Sequence, residues 1–174
     1  IDAIVVDNDA GITLSAASLA IEEGAQNGEP FASAIYTAVL NAAPVEDVTI
    51  HVQHGDDISA SVAALTFTPS NWDEAQEVTL SAFDDSFAEH SEVHTISHVS
   101  KSDDGRYNPP EGVSLAEYSS GRDVSGNTGV SVTVFDNDAV GVLLSKATAI
   151  TAEGVSTDTY EVVLSSAPIS SSVT

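Results

Sequence analysis

The chain has 174 residues, of which 27 are acidic and only four are basic, giving a formal net charge of −23. This charge excludes nucleic acid and anionic membrane surfaces as partners, because both are bound by clustered lysines and arginines. Apolar residues make up 42% of the chain, so the sequence indicates a folded protein and not a disordered acidic tail. There is no cysteine, and no apolar run reaches the roughly 18 residues that a membrane span needs.

The predicted elements are all β-strands. Several alternate apolar and polar residues, the period of a half-buried strand, and all are rich in Val, Ile, Thr or aromatic residues; in chain order they are 11–15, 31–40, 48–53, 63–68, 76–83, 91–100 and 129–135. Turn-forming sequences such as NAAP, HGDD and TPSNW separate them. About seven short strands without a helix predict an antiparallel, immunoglobulin-like β-sandwich. We expect Trp72 and the phenylalanines in or near its core.

An internal repeat organises the chain. IDAIVVDNDA (1–10) aligns with VSVTVFDNDA (130–139), GITLSAASLAIEEG (11–24) with GVLLSKATAITAEG (141–154), and YTAVLNAAP (36–44) with YEVVLSSAP (160–168). The alignment predicts that residues 1–9 are the last strand of a preceding repeat, that 10–139 are one complete repeat, and that 140–174 are the first strands of the next. We interpret the sequence as a piece of a longer tandem-repeat protein.

One polar segment, residues 101–128, does not fit the strand pattern. Connections this long are either functional or tolerated insertions. The segment contains three of the four basic residues, together with Tyr107 and Tyr118. A ligand-binding or partner-binding loop is therefore one interpretation, and a tolerated insertion is the other.

Acidic residues gather where the predicted strands end. Ca²⁺ takes six to eight oxygen ligands, and short acidic clusters at one end of a sandwich supply them. Any single cluster is more simply a solvated turn, but two of the four sets recur in register, which favours calcium. The candidate ligands are Asp7 and Asp9 with their copies Asp136 and Asp138; Glu23 with its copy Glu153; Asp84, Asp85 and Glu89; and, as further possibilities, Asp56 and Asp57.

The segments EEG (22–24), LTFTPSNWDEAQEVTLSAFDDSFAE (65–89), HTISHVSKSDDGRYN (94–108) and VSVTVFDND (130–138) resemble the Calx-beta family. This family comprises the β-sandwich modules of sodium–calcium exchangers, integrin β4 and large surface proteins, and the resemblance is closest to the tandem repeats of the surface proteins. It implies calcium ligands at the matching positions Glu23, Asp84, Asp85, Glu89, Asp136 and Asp138. The sequence departs from the family pattern at Asn137, which replaces the middle acidic residue of the terminal triplet. The family's aspartate between the third and fourth strands has only Asp56 or Asp57 as a candidate.

Other chemistries have less support. His90, His94 and His98 are spaced by four residues, but VHTISHV has the pattern of a strand, where His94 and His98 would lie about 13 Å apart. That separation is too large for one zinc ion. The chain has no G-x-S-x-G motif and no cysteine nucleophile, so we predict that it is not an enzyme.

The predicted function is therefore a calcium-binding structural repeat. Ions at the seams between repeats would stiffen a long extracellular fibre, adhesin or surface-layer protein, with the neighbouring repeats as the main partners. Three alternatives remain open at this stage. They are a glycan-binding or protein-binding adhesion module acting through residues 101–128, a self-assembling filament subunit, and an intracellular calcium sensor.

Overall fold

A computed structural model describes residues 10–24, 33–108, 129–154 and 156–168. Within these ranges the chain forms eleven strands and one short 3₁₀ helix at Gly105–Tyr107. The described part contains no helix that is long and apolar enough to cross a membrane. The strands are β1 (Ile12–Leu14), β2 (Ser18–Glu22), β3 (Ser33–Leu40), β4 (Val48–Gln53), β5 (Ile58–Ala60), β6 (Ala64–Phe67), β7 (Gln76–Ala82), β8 (Glu92–Ser102), β9 (Gly129–Phe135), β10 (Val142–Leu144) and β11 (Val162–Leu164).

Nine of these strands form the two sheets of a β-sandwich, which confirms the predicted fold class. The first sheet has the order β1-β3-β7-β5, and the second has the order β2-β9-β8-β4-β6. All neighbours within the sheets are antiparallel except β2 and β9, which are parallel. The parallel pair departs from the wholly antiparallel prediction. It is possible because β2 and β9 are far apart in sequence, so no short hairpin fixes their direction.

The core lies between the two sheets and follows directly from the alternation of each strand. Along β9, Val130, Val132 and Val134 are buried, whereas Ser131 and Thr133 are only partly covered. The same period-2 pattern operates in β3, β4, β7 and β8. The largest fully buried side chains are Tyr36, Tyr107, Phe67, Ile50, Ile58, Leu80, Ile96, His98, Val48, Val78 and Val130.

The aromatic residues only partly follow the expectation. Phe67 is fully buried, and Trp72 is partly buried and packs against the core. Phe83, Phe87 and Phe135, by contrast, are 57%, 40% and 48% exposed, so their predicted core placement is wrong. Phe83 and Phe135 stand at or just beyond a strand end, and Phe87 follows in a loop, where alternation no longer directs a side chain inward.

The start of the predicted 101–128 connection belongs to the sandwich. Lys101 and Ser102 are the last residues of β8, and the Tyr107 side chain is buried with its hydroxyl donating to the Ala42 carbonyl. Arg106 pairs with the buried Asp104 carboxylate at 2.8 Å. Tyr107 and Arg106 are thus structural residues and not a ligand-binding face. Residues 109–128, which include Tyr118 and Arg122, lie outside the described residues.

Strands β10 and β11 form a separate two-stranded ribbon with the same register as β1 and β3. Val142 is opposite Leu164 in the ribbon, as Ile12 is opposite Leu40 in the sandwich. Hydrogen bonds repeat as well: Ser145 N donates to Glu161 O at 3.0 Å in the ribbon. Ser15 N donates to Thr37 O at 2.9 Å in the sandwich. Repeated sequence therefore forms the same local structure, while the division into repeats stays a prediction.

Candidate metal sites at one end of the sandwich

Several acidic segments meet at one end of the sandwich. The parallel pairing of β2 with β9 brings Glu22 beside Phe135, so the residues that follow both strands leave the second sheet together. In the first sheet β7 ends opposite the start of β5, with Ala82 paired to Ile58. A side-chain contact joins the two sheets here, because Asn137 Nδ2 donates to Asp84 Oδ1 at 3.0 Å.

The structure brings together the six positions that the family resemblance implies. We call these residues the carboxylate cluster: Glu23, Asp84, Asp85, Glu89, Asp136 and Asp138. Asn137 is their main scaffold, since its Nδ2 also donates to the Glu23 carbonyl at 3.1 Å and to the Gly24 carbonyl at 2.7 Å. Asn137 lacks the negative charge of the acidic residue that the family has here. In its place it donates hydrogen bonds that a carboxylate could not donate.

Backbone donors hold two of the carboxylates in place. Asp136 accepts hydrogen bonds from Asp138 N at 2.7 Å and from Glu89 N. Asp85 Oδ1 accepts from Phe87 N at 2.7 Å. The loop 84–89 and the segment 136–138 are therefore tied to one another by their acidic side chains.

The carboxylates of the cluster repel one another. Burial, together with the smaller effects of the Asp85, Asp136, Asp84 and Glu89 charges, raises the pKa of Glu23 to about 7. The pKa values of Glu89 and Asp138 are raised too, first by burial and then by neighbouring carboxylates. Arg106 and Lys146 are engaged elsewhere, with Asp104 and Asp158. Lys101 stands near the opposite end of β8, about 30 Å along the strand from Glu92.

The donor chemistry fits a hard divalent cation. Every side chain of the cluster offers oxygen, the ligand atom that Ca²⁺ prefers. Glu23 Oε2 is buried and has no hydrogen-bond partner among the described residues, which an ion would supply. The cluster is open, however: no three of its side chains have ligand atoms within 4.8 Å of one another. Binding an ion would require the side chains to close around it.

A second group meets this distance condition and is the only one to do so in the described part of the chain. It consists of Asp57, Glu92 and His94, whose ligand atoms all lie within 4.8 Å of one another; we call it the inter-sheet triad. Asp57 had been a possible calcium ligand from sequence. Glu92 and His94 were not predicted as ligands, although their i, i+2 spacing on one strand places both on the same face.

The remaining predicted ligands do not join either group. Asp56 and Glu153 are exposed, and Glu153 stands in the loop between β10 and β11. Asp7 and Asp9 lie outside the described residues. The sequence interpretation treated Asn137 only as a departure from the family pattern and missed its role in holding the cluster together. Its position between Asp136 and Asp138 could have indicated that role.

Comparison with known proteins finds solved structures with a similar fold but no protein family or curated protein that matches by sequence. A solved Calx CBD1 domain in its apo form is 21% identical, with a TM-score of 0.41, over 74% of this chain and 99% of that one. The CBD12 structure from CALX1.2 is 17% identical, with a TM-score of 0.43, over 73% of this chain and 44% of that one.

A third structure, of a chaperone–tip adhesin complex of CFA/I fimbriae, is 9% identical with a TM-score of 0.43. It matches 79% of this chain and 64% of its own length. The chain thus spans less than two thirds of the length of two of these three structures. These structures and this chain share a β-sandwich architecture.

Proposed function

We propose that this chain is a Calx-beta-like structural repeat that binds calcium through the carboxylate cluster. The observation that carries the proposal is the convergence of six acidic side chains, from three separate segments, at one end of the sandwich. The pKa values of Glu23, Glu89 and Asp138 are raised, first by burial and then by the charges of neighbouring carboxylates. Arg106 and Lys146 pair with Asp104 and Asp158 instead. A divalent ion relieves that repulsion, so its binding energy stabilises the folded arrangement.

The cluster stands where the sandwich meets the following ribbon, which suggests what the ion does. Phe87, in the acidic loop 84–89, forms a parallel bridge with Ala167 of the ribbon, and Ala167 N donates to Ser86 O at 2.5 Å. Only Ala139, Val140 and Gly141 separate Asp138 from β10. A bound ion would therefore hold the loop, the seam and the next strands in one arrangement. The chain would act as a stiffened segment of a long extracellular or cell-surface protein.

Calcium titration by calorimetry tests the proposal directly. We expect saturable binding to the wild-type chain, and a melting temperature that is higher with calcium than with chelator. The variant carrying Asp136→Asn and Asp138→Asn should lose at least tenfold in calcium affinity, because it removes two anionic ligands and keeps the side-chain size.

A matched control removes the same amount of charge from the other end of the sandwich. Asp73 and Glu74 are exposed in the turn between β6 and β7. The variant with Asp73→Asn and Glu74→Gln should bind calcium like the wild type at physiological salt, where charges far apart are screened. Equal weakening in both variants, or no binding at millimolar calcium, would contradict the proposal.

A further inference from the structure

The inter-sheet triad joins the two sheets of the sandwich. Asp57 directly precedes β5 in the first sheet, whereas Glu92 and His94 are on β8 in the second. His94 is on the inward face of β8, in line with the buried Ile96 and His98. The triad is therefore assembled from elements that are far apart in sequence, and a ligand shared by its three members would connect one sheet to the other.

The separations within the triad suit a small ion better than direct contacts. His94 Nε2 is 3.5 Å from Glu92 Oε2 and 3.9 Å from Asp57 Oδ2. Both distances exceed those of an ordinary hydrogen bond, which end near ~3.2 Å. Two ligand atoms that each lie ~2.1 Å from one tetrahedral ion are themselves about 3.4 Å apart. The side chains thus already stand close to the spacing of a first coordination shell.

The Nε2 atom of His94 makes no hydrogen bond with the described residues. This atom is buried, and the His94 side chain is only 15% exposed. Asp57 and Glu92 are 66% and 58% exposed at their side chains, so the group is open to solvent on the carboxylate side. An ion can enter from that side, and water can complete its coordination.

The mixed donor set separates this group from the carboxylate cluster. Calcium takes oxygen ligands, whereas one neutral imidazole nitrogen with two carboxylate oxygens suits Zn²⁺ and related divalent transition metals. A plain ion pair between His94 and the two carboxylates is the competing explanation, and it needs no metal. The ion pair requires a charged imidazole, while metal binding requires a neutral one.

We propose that Asp57, Glu92 and His94 form a zinc site, with Nε2 of His94 as its nitrogen ligand, that clips the two sheets together beside the carboxylate cluster. None of the three residues belongs to the carboxylate cluster, although the sequence made Asp57 a possible calcium ligand. Zinc bound there should stabilise the folded chain in addition to calcium, because both ions bind only the assembled structure.

The test is a zinc titration of the full chain by calorimetry in saturating calcium, which keeps zinc out of the oxygen-rich cluster. Variant His94→Gln should lose at least tenfold in zinc affinity while its calcium titration stays unchanged. His51→Gln is the matched control, since His51 is exposed on β4 and removing it should leave zinc binding intact. Equal zinc affinity in the two variants would overturn the proposal.

A second measurement does not depend on the folding of any variant. Nitrogen-15 shifts of the His94 ring in the wild-type chain should show Nε2 coordination when zinc is added at pH 7. A ring whose nitrogen shifts do not change in excess zinc, or change only as expected for protonation, would overturn the zinc site. Loss of calcium affinity in His94→Gln would also overturn it, because the two groups would then be one site.

Discussion

At the scale of single residues, His98 shows how the core handles an ionisable group. Its side chain is fully buried, and its Nε2 shares a hydrogen bond with the Tyr36 hydroxyl at 2.8 Å. The two rings meet edge to face, with their centroids 5.5 Å apart. Burial lowers the pKa of His98 to about 4, so the imidazole is neutral in the folded protein at neutral pH.

The burial of His98 makes the stability of the fold depend on pH. His98 takes up a proton near pH 6.5 in the unfolded chain, but only near pH 4 in the folded chain. Protons therefore favour the unfolded chain between these pH values. The stability that neutral, buried His98 contributes is fully present above pH 6.5 and is lost as the pH falls toward 4. At pH 5 the loss should be about 2 kcal/mol in the free energy of unfolding.

Urea unfolding at pH 7 and pH 5, in chelator, measures this effect. The wild type and the control His51→Gln should lose the same free energy between the two pH values. His98→Gln, which can still hydrogen-bond to Tyr36, should lose about 2 kcal/mol less than they do. Identical pH dependence in all three proteins would show that His98 does not cause it.

At the scale of elements, the pairing of β8 with β9 closes the second sheet and positions the segment 136–138. Gly129 begins β9 opposite Ser97, and a Cβ atom at this position would lie only 2.1 Å from the Ile96 carbonyl oxygen. The neighbour is backbone within a strand and cannot move aside without disturbing the pairing. Glycine is therefore required at this position by close approach, not by its turn-forming ability.

Gly129→Ala should destabilise the fold by about 1–3 kcal/mol, the usual range for forcing extra atoms into a packed site. Gly105→Ala is the control, because a Cβ at Gly105 meets nothing within 4 Å and its effect should stay within about 0.5 kcal/mol. Equilibrium unfolding in urea compares the two. Similar stabilities would mean that β9 can shift to accommodate the methyl group.

At the scale of the whole molecule, the sandwich and the ribbon meet at loop 84–89, where Ala167 N donates to Ser86 O. Apart from the bridge between Phe87 and Ala167, the strands of the ribbon present exposed apolar side chains: Val142, Leu143, Leu144, Val162, Val163 and Leu164. The carboxylate cluster stands on the sandwich side of this junction. Because loop 84–89 contributes both to the cluster and to this junction, we expect repulsion within the cluster to weaken the junction.

Small-angle X-ray scattering with calcium and with chelator should detect this coupling. We expect calcium to narrow the distribution of shapes and to lower the radius of gyration, because an ion ties loop 84–89 to segment 136–138. The Asp136→Asn and Asp138→Asn variant should scatter in calcium as the wild type does in chelator. Identical wild-type curves in the two conditions, despite measured calcium binding, would refute calcium stiffening.

Much of the fold was predictable because its signals are local. The alternation in 48–53 and 129–135 predicted β4 and β9 with their observed bounds, since side-chain direction in a strand depends only on neighbouring residues. The short strands β2 and β5 were missed. They contain only five and three residues, and pairing to distant strands holds them in place more than any pattern of their own.

The two candidate sites differ in the same way: the sequence indicated the carboxylate cluster but not the inter-sheet triad. Acidic residues at strand ends, and the repeat that duplicates some of them, were visible in the sequence and included the six members of the carboxylate cluster. The resemblance to the Calx-beta family, and not the acidic pattern, selected those six. The inter-sheet triad was not visible, because Asp57 stands 35 and 37 positions before Glu92 and His94. Its members meet through the packing of one sheet on the other, and such packing depends on the long-range contacts of the folded chain and not on local pattern.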